Sequence, residues 1–113
     1  MLINPNNPTG AVYSAEILRE IIKIAREHGL VIISDEIYDR LVLDGVKHIP
    51  TASLAEDVTV VTMNGLSKSH CICGLRCGWL CVSGPSKEKK MLNDALVSLA
   101  SVRLCSCIGN CVF

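Results

Sequence analysis

The pattern of apolar and polar residues predicts a strand, then an amphipathic helix, at the start of the chain. Leu2 and Ile3 are typical of the end of a strand. Ser14 suits a helix N-cap, and Gly29 suits the position just after a helix C-terminus. Between them, apolar residues recur at the spacing of one helical face. These residues are Ile17, Leu18, Ile21, Ile22 and Ala25.

Three further apolar segments predict strands. Residues 30–34 form a continuous run rich in β-branched side chains, which is typical of a strand buried on both faces in a parallel sheet. Residues 58–63 have the same character, and residues 80–82 form a shorter run. A last helix is predicted from Ser86, with an apolar stripe along one side. The stripe consists of Met91, Leu92, Ala95, Leu96, Leu99 and Ala100.

Strands connected by helices predict an α/β fold, in which a mostly parallel sheet is flanked by helices. The chain has 113 residues, enough for one domain with a modest core. Half of its residues are apolar and its formal net charge is zero, so the composition is that of a globular protein. The neutral balance gives no general attraction to nucleic acid or to anionic membranes.

We expect neither a membrane span nor a signal peptide in this chain. Arg19, Glu20 and Lys23 interrupt the apolar residues 17–25, and a membrane helix needs roughly 18 uninterrupted apolar residues. The first residues lack the basic start and apolar run of a signal peptide. A cytoplasmic protein that binds no membrane is therefore the expectation.

Seven cysteines are many for this length. They lie at positions 71, 73, 77, 81, 105, 107 and 111. Structural zinc sites usually contain paired C-x-x-C steps, whereas the closest spacings here are C-x-C and C-x-x-x-C. We therefore expect reduced, mostly buried thiols and no metal site. A thiol-rich metal-binding module remains the weakest alternative.

Polar residues cluster where the predicted strands end. In open α/β sheets, ligands bind beyond the carboxyl ends of the strands, so such clusters point to one shared pocket. The clusters are Asn6 and Asn7 after the first strand, Asp35, Glu36, Tyr38 and Asp39 after the second, Asn64, Ser67 and Lys68 after the third, and Arg76 before the fourth.

Three segments resemble successive signatures of class I aminotransferases, which depend on pyridoxal phosphate. They are residues 4–10 (NPNNPTG), 34–38 (SDEIY) and 64–78 (NGLSKSHCICGLRCG), in the order in which the family carries them. The resemblance extends to about residue 104 and is strongest to bacterial-type alanine (glutamate–pyruvate) aminotransferases. It implies that the chain is part of the large, pyridoxal-phosphate-binding domain of such an enzyme.

The resemblance also assigns roles to individual residues. Lys68 would hold the cofactor as a Schiff base and move the proton during the reaction. Asp35 would pair with the protonated pyridine nitrogen, while Tyr38 and Asn7 would hydrogen-bond the phenolic oxygen of the cofactor. Arg76 would bind the phosphate bidentately, and the hydroxyl group of Ser67 would contact the same phosphate. The six implied site residues are Asn7, Asp35, Tyr38, Ser67, Lys68 and Arg76.

Two departures from the family bear on the phosphate site and on the extent of the chain. Many relatives carry a serine where this chain has Gly65, three residues before the lysine. Family members are also several times longer, and they bring an N-terminal phosphate loop and a C-terminal domain that binds the substrate carboxylate. We therefore expect residues 1–104 to be a partial cofactor-binding domain, followed by a divergent tail over residues 105–113.

The resulting expectation is a fragment of an enzyme that transfers an amino group between an amino acid and a 2-oxo acid. Alanine with 2-oxoglutarate, giving pyruvate and glutamate, is the expected reaction, and the family implies a homodimer. Two alternatives remain: a catalytically inactive truncated remnant, and a relative of the pyridoxal-phosphate-dependent carbon–sulfur lyases. The isolated chain is expected to be inactive.

Overall fold

The computed structural model describes residues 1–103, which form one four-stranded sheet with helices. Its elements, in chain order, are β1 (Leu2–Ile3), α1 (Ala15–Glu27), β2 (Ile32–Asp35), β3 (Val60–Gly65), α2 (Leu66–Ser69), β4 (Gly78–Ser83) and α3 (Ser86–Arg103). Two single 3₁₀ turns, Thr51–Leu54 and Cys73–Leu75, lie in the connections before β3 and before β4.

The strands lie in the order β1-β2-β3-β4, the same as their order in the chain. The first three strands are parallel, whereas β3 and β4 are antiparallel. The predicted α/β fold with a mostly parallel sheet is therefore confirmed. The direction of β4 matters for the site, because an antiparallel neighbour begins at the edge where β3 ends.

The core lies between helix α1 and one face of the sheet. Leu18 and Ile22 of α1 are almost completely buried, and Ile32 and Val60 meet them from β2 and β3. Each fully buried aliphatic side chain contributes about 1.5–3 kcal/mol of transfer free energy. Leu18, Ile22 and Ala25 of the predicted apolar face are therefore buried, as the sequence predicted. Ile17, which the pattern placed on the same face, is 49% exposed.

Both ends of α1 agree with the prediction. Ser14 is the N-cap residue in an extended conformation. At the other end His28 is the C-cap, and Gly29 follows with φ of +60°. Glycine has no Cβ to clash in this left-handed region, so it ends the helix at little steric cost.

The prediction that the strand at residues 30–34 is buried on both faces is wrong. Leu30 and Val31 precede the strand and are exposed, while β2 itself begins at Ile32. Within β2, Ile32 and Ser34 face the core, but Ile33 is 41% exposed. Leu80 of β4 is 51% exposed as well. The described helices thus leave apolar side chains of this sheet accessible.

Helix α3 begins at Ser86, as predicted, but only part of its expected stripe is covered. Leu92, Leu96 and Ala100 are half-buried at successive helical turns. Met91 and Leu99 are exposed, at 69% and 62%. The contact of α3 with the sheet is therefore narrower than the sequence pattern suggested.

The prediction of mostly buried cysteines is also wrong for the four in the described region. All four are free thiols. Cys77 is half-buried, and the other three are exposed: Cys71, Cys73 and Cys81. Within residues 1–103, no three His, Cys, Asp or Glu side chains come together in a way that could hold a metal ion. The predicted tail over residues 105–113, with its three cysteines, lies outside the described residues.

No helix within residues 1–103 combines the length and the apolar character that crossing a bilayer requires.

Candidate active site

Three connections of the chain meet at the carboxyl edge of the sheet. Strands β1 and β2 end there at Ile3 and Asp35, and β3 ends there at Gly65. Because β4 runs antiparallel to β3, its first residue Gly78 pairs with Gly65. The topology thus brings the segments that carry all the candidate residues to one edge, including the segment with Arg76.

Lys68 lies close to Tyr38 at this edge. The Lys68 side chain extends from α2, directly after β3, and its Nζ is 5.8 Å from the centroid of the Tyr38 ring. An ammonium group at this distance from an aromatic ring is within the range of a cation–π contact. Lys68 is exposed and Tyr38 is half-buried, so the amine remains accessible to a ligand.

Asp35 is the last residue of β2, and hydrogen bonds fix its position. Its Oδ1 accepts the backbone N–H of Ile37 at 3.1 Å. Its backbone carbonyl accepts the N–H of Asn4 at 3.0 Å, which ties the loop after β1 to the end of β2. Asp35 is half-buried, so its carboxylate is held at the edge of the sheet without being enclosed.

Asn7 and Tyr38 line one cavity of about 530 Å³ between the loop after β1 and the loop after β2. Asp35, Ser67, Lys68 and Arg76 do not line this cavity. The structure therefore brings Lys68 to Tyr38, and Tyr38 to Asn7, but does not gather the six predicted residues in one enclosed pocket.

Arg76 and Ser67 lie on the two segments that flank the end of β3. Ser67 is the second residue of α2 and is half-buried. Arg76 has a left-handed backbone with φ of 52°, and its Nη1 donates a hydrogen bond to the carbonyl of Cys73 at 3.0 Å. The left-handed conformation costs a residue with a side chain roughly 1–2 kcal/mol. Such conformations cluster at functional sites, although Asp44 and Cys71 of this chain adopt the same region with φ of 58° and 56°.

The structure also contains a buried polar cluster to which the sequence analysis gave no role. Glu36 is buried, and its carboxylate uses both of its oxygens in hydrogen bonds. Oε1 accepts the Ser34 hydroxyl at 2.9 Å and the Thr51 N–H at 3.0 Å. Oε2 lies 2.9 Å from Nε2 of His48.

One feature of the sequence does indicate that Glu36 is buried. Side chains two residues apart point to the same face of a strand, so Glu36 continues the inward row of Ile32 and Ser34. Nothing comparable identifies His48 or Thr51 as its partners, because they are distant in the sequence.

The hydrogen bonds to Glu36 change its acidity. Burial raises the pKa of Glu36, but the hydrogen bonds from His48, the Thr51 amide and the Ser34 hydroxyl lower it by more. The net effect is a pKa below the ordinary value of a glutamate. The carboxylate is therefore the favoured form inside the protein.

The fold and this edge define an α/β domain whose candidate ligand-binding groups lie beyond the ends of its strands. Residues 1–109 match the family described as aminotransferase class I and II, and the chain belongs to that family.

Individual relatives agree with this assignment. The chain is 51% identical over 106 residues to the glutamate-pyruvate aminotransferase AlaA of Escherichia coli (strain K12), covering 94% of this chain and 26% of that protein. It superimposes on the solved alanine aminotransferase from Pyrococcus furiosus with a TM-score of 0.86 and 43% identity, covering 96% of this chain and 28% of that one.

A third match is to a protein whose structure was solved with a bound cofactor. The putative aminotransferase from Clostridium difficile 630, solved with bound PLP, matches with a TM-score of 0.69 and 32% identity, covering 87% of this chain and 26% of that one. The chain spans about a quarter of the length of the proteins that it matches.

Proposed function

We propose that this chain is the cofactor-binding portion of a pyridoxal-phosphate-dependent aminotransferase, which transfers an amino group between an amino acid and a 2-oxo acid. The observation that carries the proposal is the position of Lys68, whose amine lies over the Tyr38 ring just beyond the end of β3. An accessible lysine amine at a ligand-binding strand edge is what a cofactor aldehyde requires.

The side chains present at this edge suit the chemistry of pyridoxal phosphate. Asp35 offers a fixed carboxylate to a protonated ring nitrogen. Tyr38 offers a hydroxyl group beside Lys68, and Arg76 offers a guanidinium that matches phosphate oxygens. Together with Lys68, these side chains would provide one interaction each for the aldehyde, the ring nitrogen, the phenolic oxygen and the phosphate of the cofactor.

Each residue has a distinct part in this proposal. Lys68 would bind the cofactor covalently and would move the proton at the substrate carbon. Asp35 would keep the ring nitrogen protonated, Tyr38 and Asn7 would hydrogen-bond the phenolic oxygen, and Arg76 with Ser67 would bind the phosphate. The cofactor, when bound, supplies the electron sink, and the protein supplies binding and orientation.

Alanine with 2-oxoglutarate, giving pyruvate and glutamate, is the proposed substrate pair. The names of the E. coli and P. furiosus relatives support it. The proposal also includes a homodimer, supported by the exposed apolar residues Leu41, Leu43 and Val46 beside the Tyr38 cavity. A cytoplasmic location belongs to the same proposal and agrees with the free thiols of the described region.

Titration with pyridoxal phosphate, followed by visible absorbance, tests the proposal. We expect a new absorption band that is absent in Lys68→Ala and retained in Lys23→Ala, a matched change of an exposed lysine on α1. Alanine and 2-oxoglutarate are then added, and pyruvate is measured. Binding without turnover would contradict catalysis by this chain, whereas no band at all would contradict cofactor binding by it.

A further inference from the structure

We propose that Glu36 and His48 are positioning residues, which hold the loop that carries Tyr38 so that the tyrosine stays beside Lys68. This inference rests on the proposed function, since it assigns Tyr38 to the cofactor site. Neither Glu36 nor His48 touches Lys68 itself; both act through Tyr38.

The Glu36–His48 pair closes a long loop at its base. Glu36 follows β2 directly, whereas His48 and Thr51 lie where the chain returns towards the first 3₁₀ turn. The contacts from Glu36 to His48 and Thr51 therefore join the two ends of the segment over residues 37–50. The hydroxyls of Ser34 and Thr51, 3.0 Å apart, add a second connection across the same base.

Tyr38 lies inside this closed loop, two residues after Glu36. The backbone turns at that point, since Asp39 N–H donates to the Glu36 carbonyl at 3.0 Å and Leu41 N–H donates to the Tyr38 carbonyl at 2.9 Å. On the other side of Glu36 lies Asp35, whose carboxylate accepts the Ile37 N–H. A shift of Glu36 would therefore move both neighbouring site residues.

The burial of the pair favours a positioning role over simple packing. The side chains of His48 and Glu36 are 8% and 4% exposed. Burying such groups is costly, and apolar residues of similar volume often stabilise a core at least as well. Directional hydrogen bonds do, however, fix one arrangement of a polar cluster more strictly than apolar packing does. Here they converge on the Glu36 carboxylate, while Nδ1 of His48 has no hydrogen-bond partner among the described residues. Each Glu36 oxygen has a directional partner from a different part of the loop base.

Fluorine NMR of the 113-residue chain labelled with fluorotyrosine tests the inference without cofactor. The chain contains two tyrosines, Tyr13 and Tyr38, so two resonances are expected. Tyr13 packs against the core and serves as the internal control. The variants are His48→Ala, which removes the partner of Glu36, and His48→Gln, whose side-chain amide can still donate to Oε2.

We expect His48→Ala to shift or broaden the Tyr38 resonance while the Tyr13 resonance stays in place, and His48→Gln to restore the original Tyr38 position. Both resonances moving together, including collapse to an unfolded spectrum, would show a purely structural role and overturn the inference. No change at Tyr38 would overturn it as well. The parallel titration with pyridoxal phosphate separates this result from the proposed function, because loss of the absorption band in Lys68→Ala does not depend on His48.

Discussion

Gly65 lies so close to Cys77 that a Cβ added to it would meet the Cys77 carbonyl oxygen at 2.8 Å. Real Cβ atoms essentially never come this close to an oxygen, and a backbone carbonyl cannot move aside easily. The same carbonyl accepts the N–H of Leu66, the first residue of α2. The glycine at the position where many relatives carry a serine therefore has a steric reason in this chain.

We predict that Gly65→Ala destabilises the chain by about 1–3 kcal/mol, the usual cost of an overpacked site. The displaced Cys77 carbonyl would also disturb the start of α2 and thereby move Lys68. Gly74→Ala is the matched control, because nothing lies within 4 Å of its added Cβ. Denaturant unfolding measures both variants, and equal stability of the two would contradict the steric account.

The core between α1 and the sheet predicts that substitutions at two neighbouring residues of α1 differ sharply in their effect on stability. Leu18 is fully buried and Ile17 is 49% exposed on the same helix. Leu18→Ala should therefore cost about 2–5 kcal/mol, because it leaves a cavity. Ile17→Ala should cost much less. Thermal unfolding of the two variants tests the assignment, which fails if both lose the same stability.

The lowered pKa of Glu36 predicts a pH dependence of stability. A carboxyl group whose pKa is lower in the folded state adds stability at pH values above its unfolded pKa. That stability disappears as the pH falls through the lowered value. Unfolding free energy measured on the acid side of neutrality should thus decrease with falling pH, and Glu36→Gln should flatten the decrease. Glu20→Gln, on the exposed side of α1, is the control, and an equal flattening there would argue against the role of Glu36.

The proposed phosphate contact of Arg76 can be isolated by comparing two ligands. Pyridoxal phosphate and pyridoxal differ only in the phosphate. Arg76→Ala should weaken binding of the phosphate form on the order of tenfold, about 1.4 kcal/mol, and leave pyridoxal binding nearly unchanged. Arg19→Ala provides an arginine control on α1. A similar loss for both ligands would show that Arg76 acts through the structure of its loop instead.

The sequence predicted the local elements better than their arrangement. Helix α1 follows from Ser14, Gly29 and a regular apolar face, since all three signals are local. The boundaries of β2 and β3 were predicted about two residues too early, because Leu30 and Val58 continue the apolar runs without pairing. The antiparallel direction of β4 has no local signature, although it places Arg76 at the site edge.

The same difference between local signals and long-range arrangement applies to the candidate site. The family motifs predicted that Lys68 and Tyr38 share one site, and in the structure Lys68 Nζ lies 5.8 Å from the centroid of the Tyr38 ring. The contact of Glu36 with His48 joins residues that are far apart in the sequence, and no pattern in a single sequence encodes such a pair. The exposure of Ile33 was also missed, because an apolar run indicates that a strand prefers burial and not what covers it.

The central claim is that Lys68 is the residue that binds the cofactor, and chemical trapping tests it most directly. The chain is incubated with a small excess of pyridoxal phosphate, reduced with borohydride and digested, and the modified peptides are identified by mass spectrometry. The account predicts that the label is concentrated on the peptide with Lys68, is lost in Lys68→Ala and persists in Lys23→Ala. A label spread evenly over the exposed lysines, and unchanged by Lys68→Ala, would contradict it.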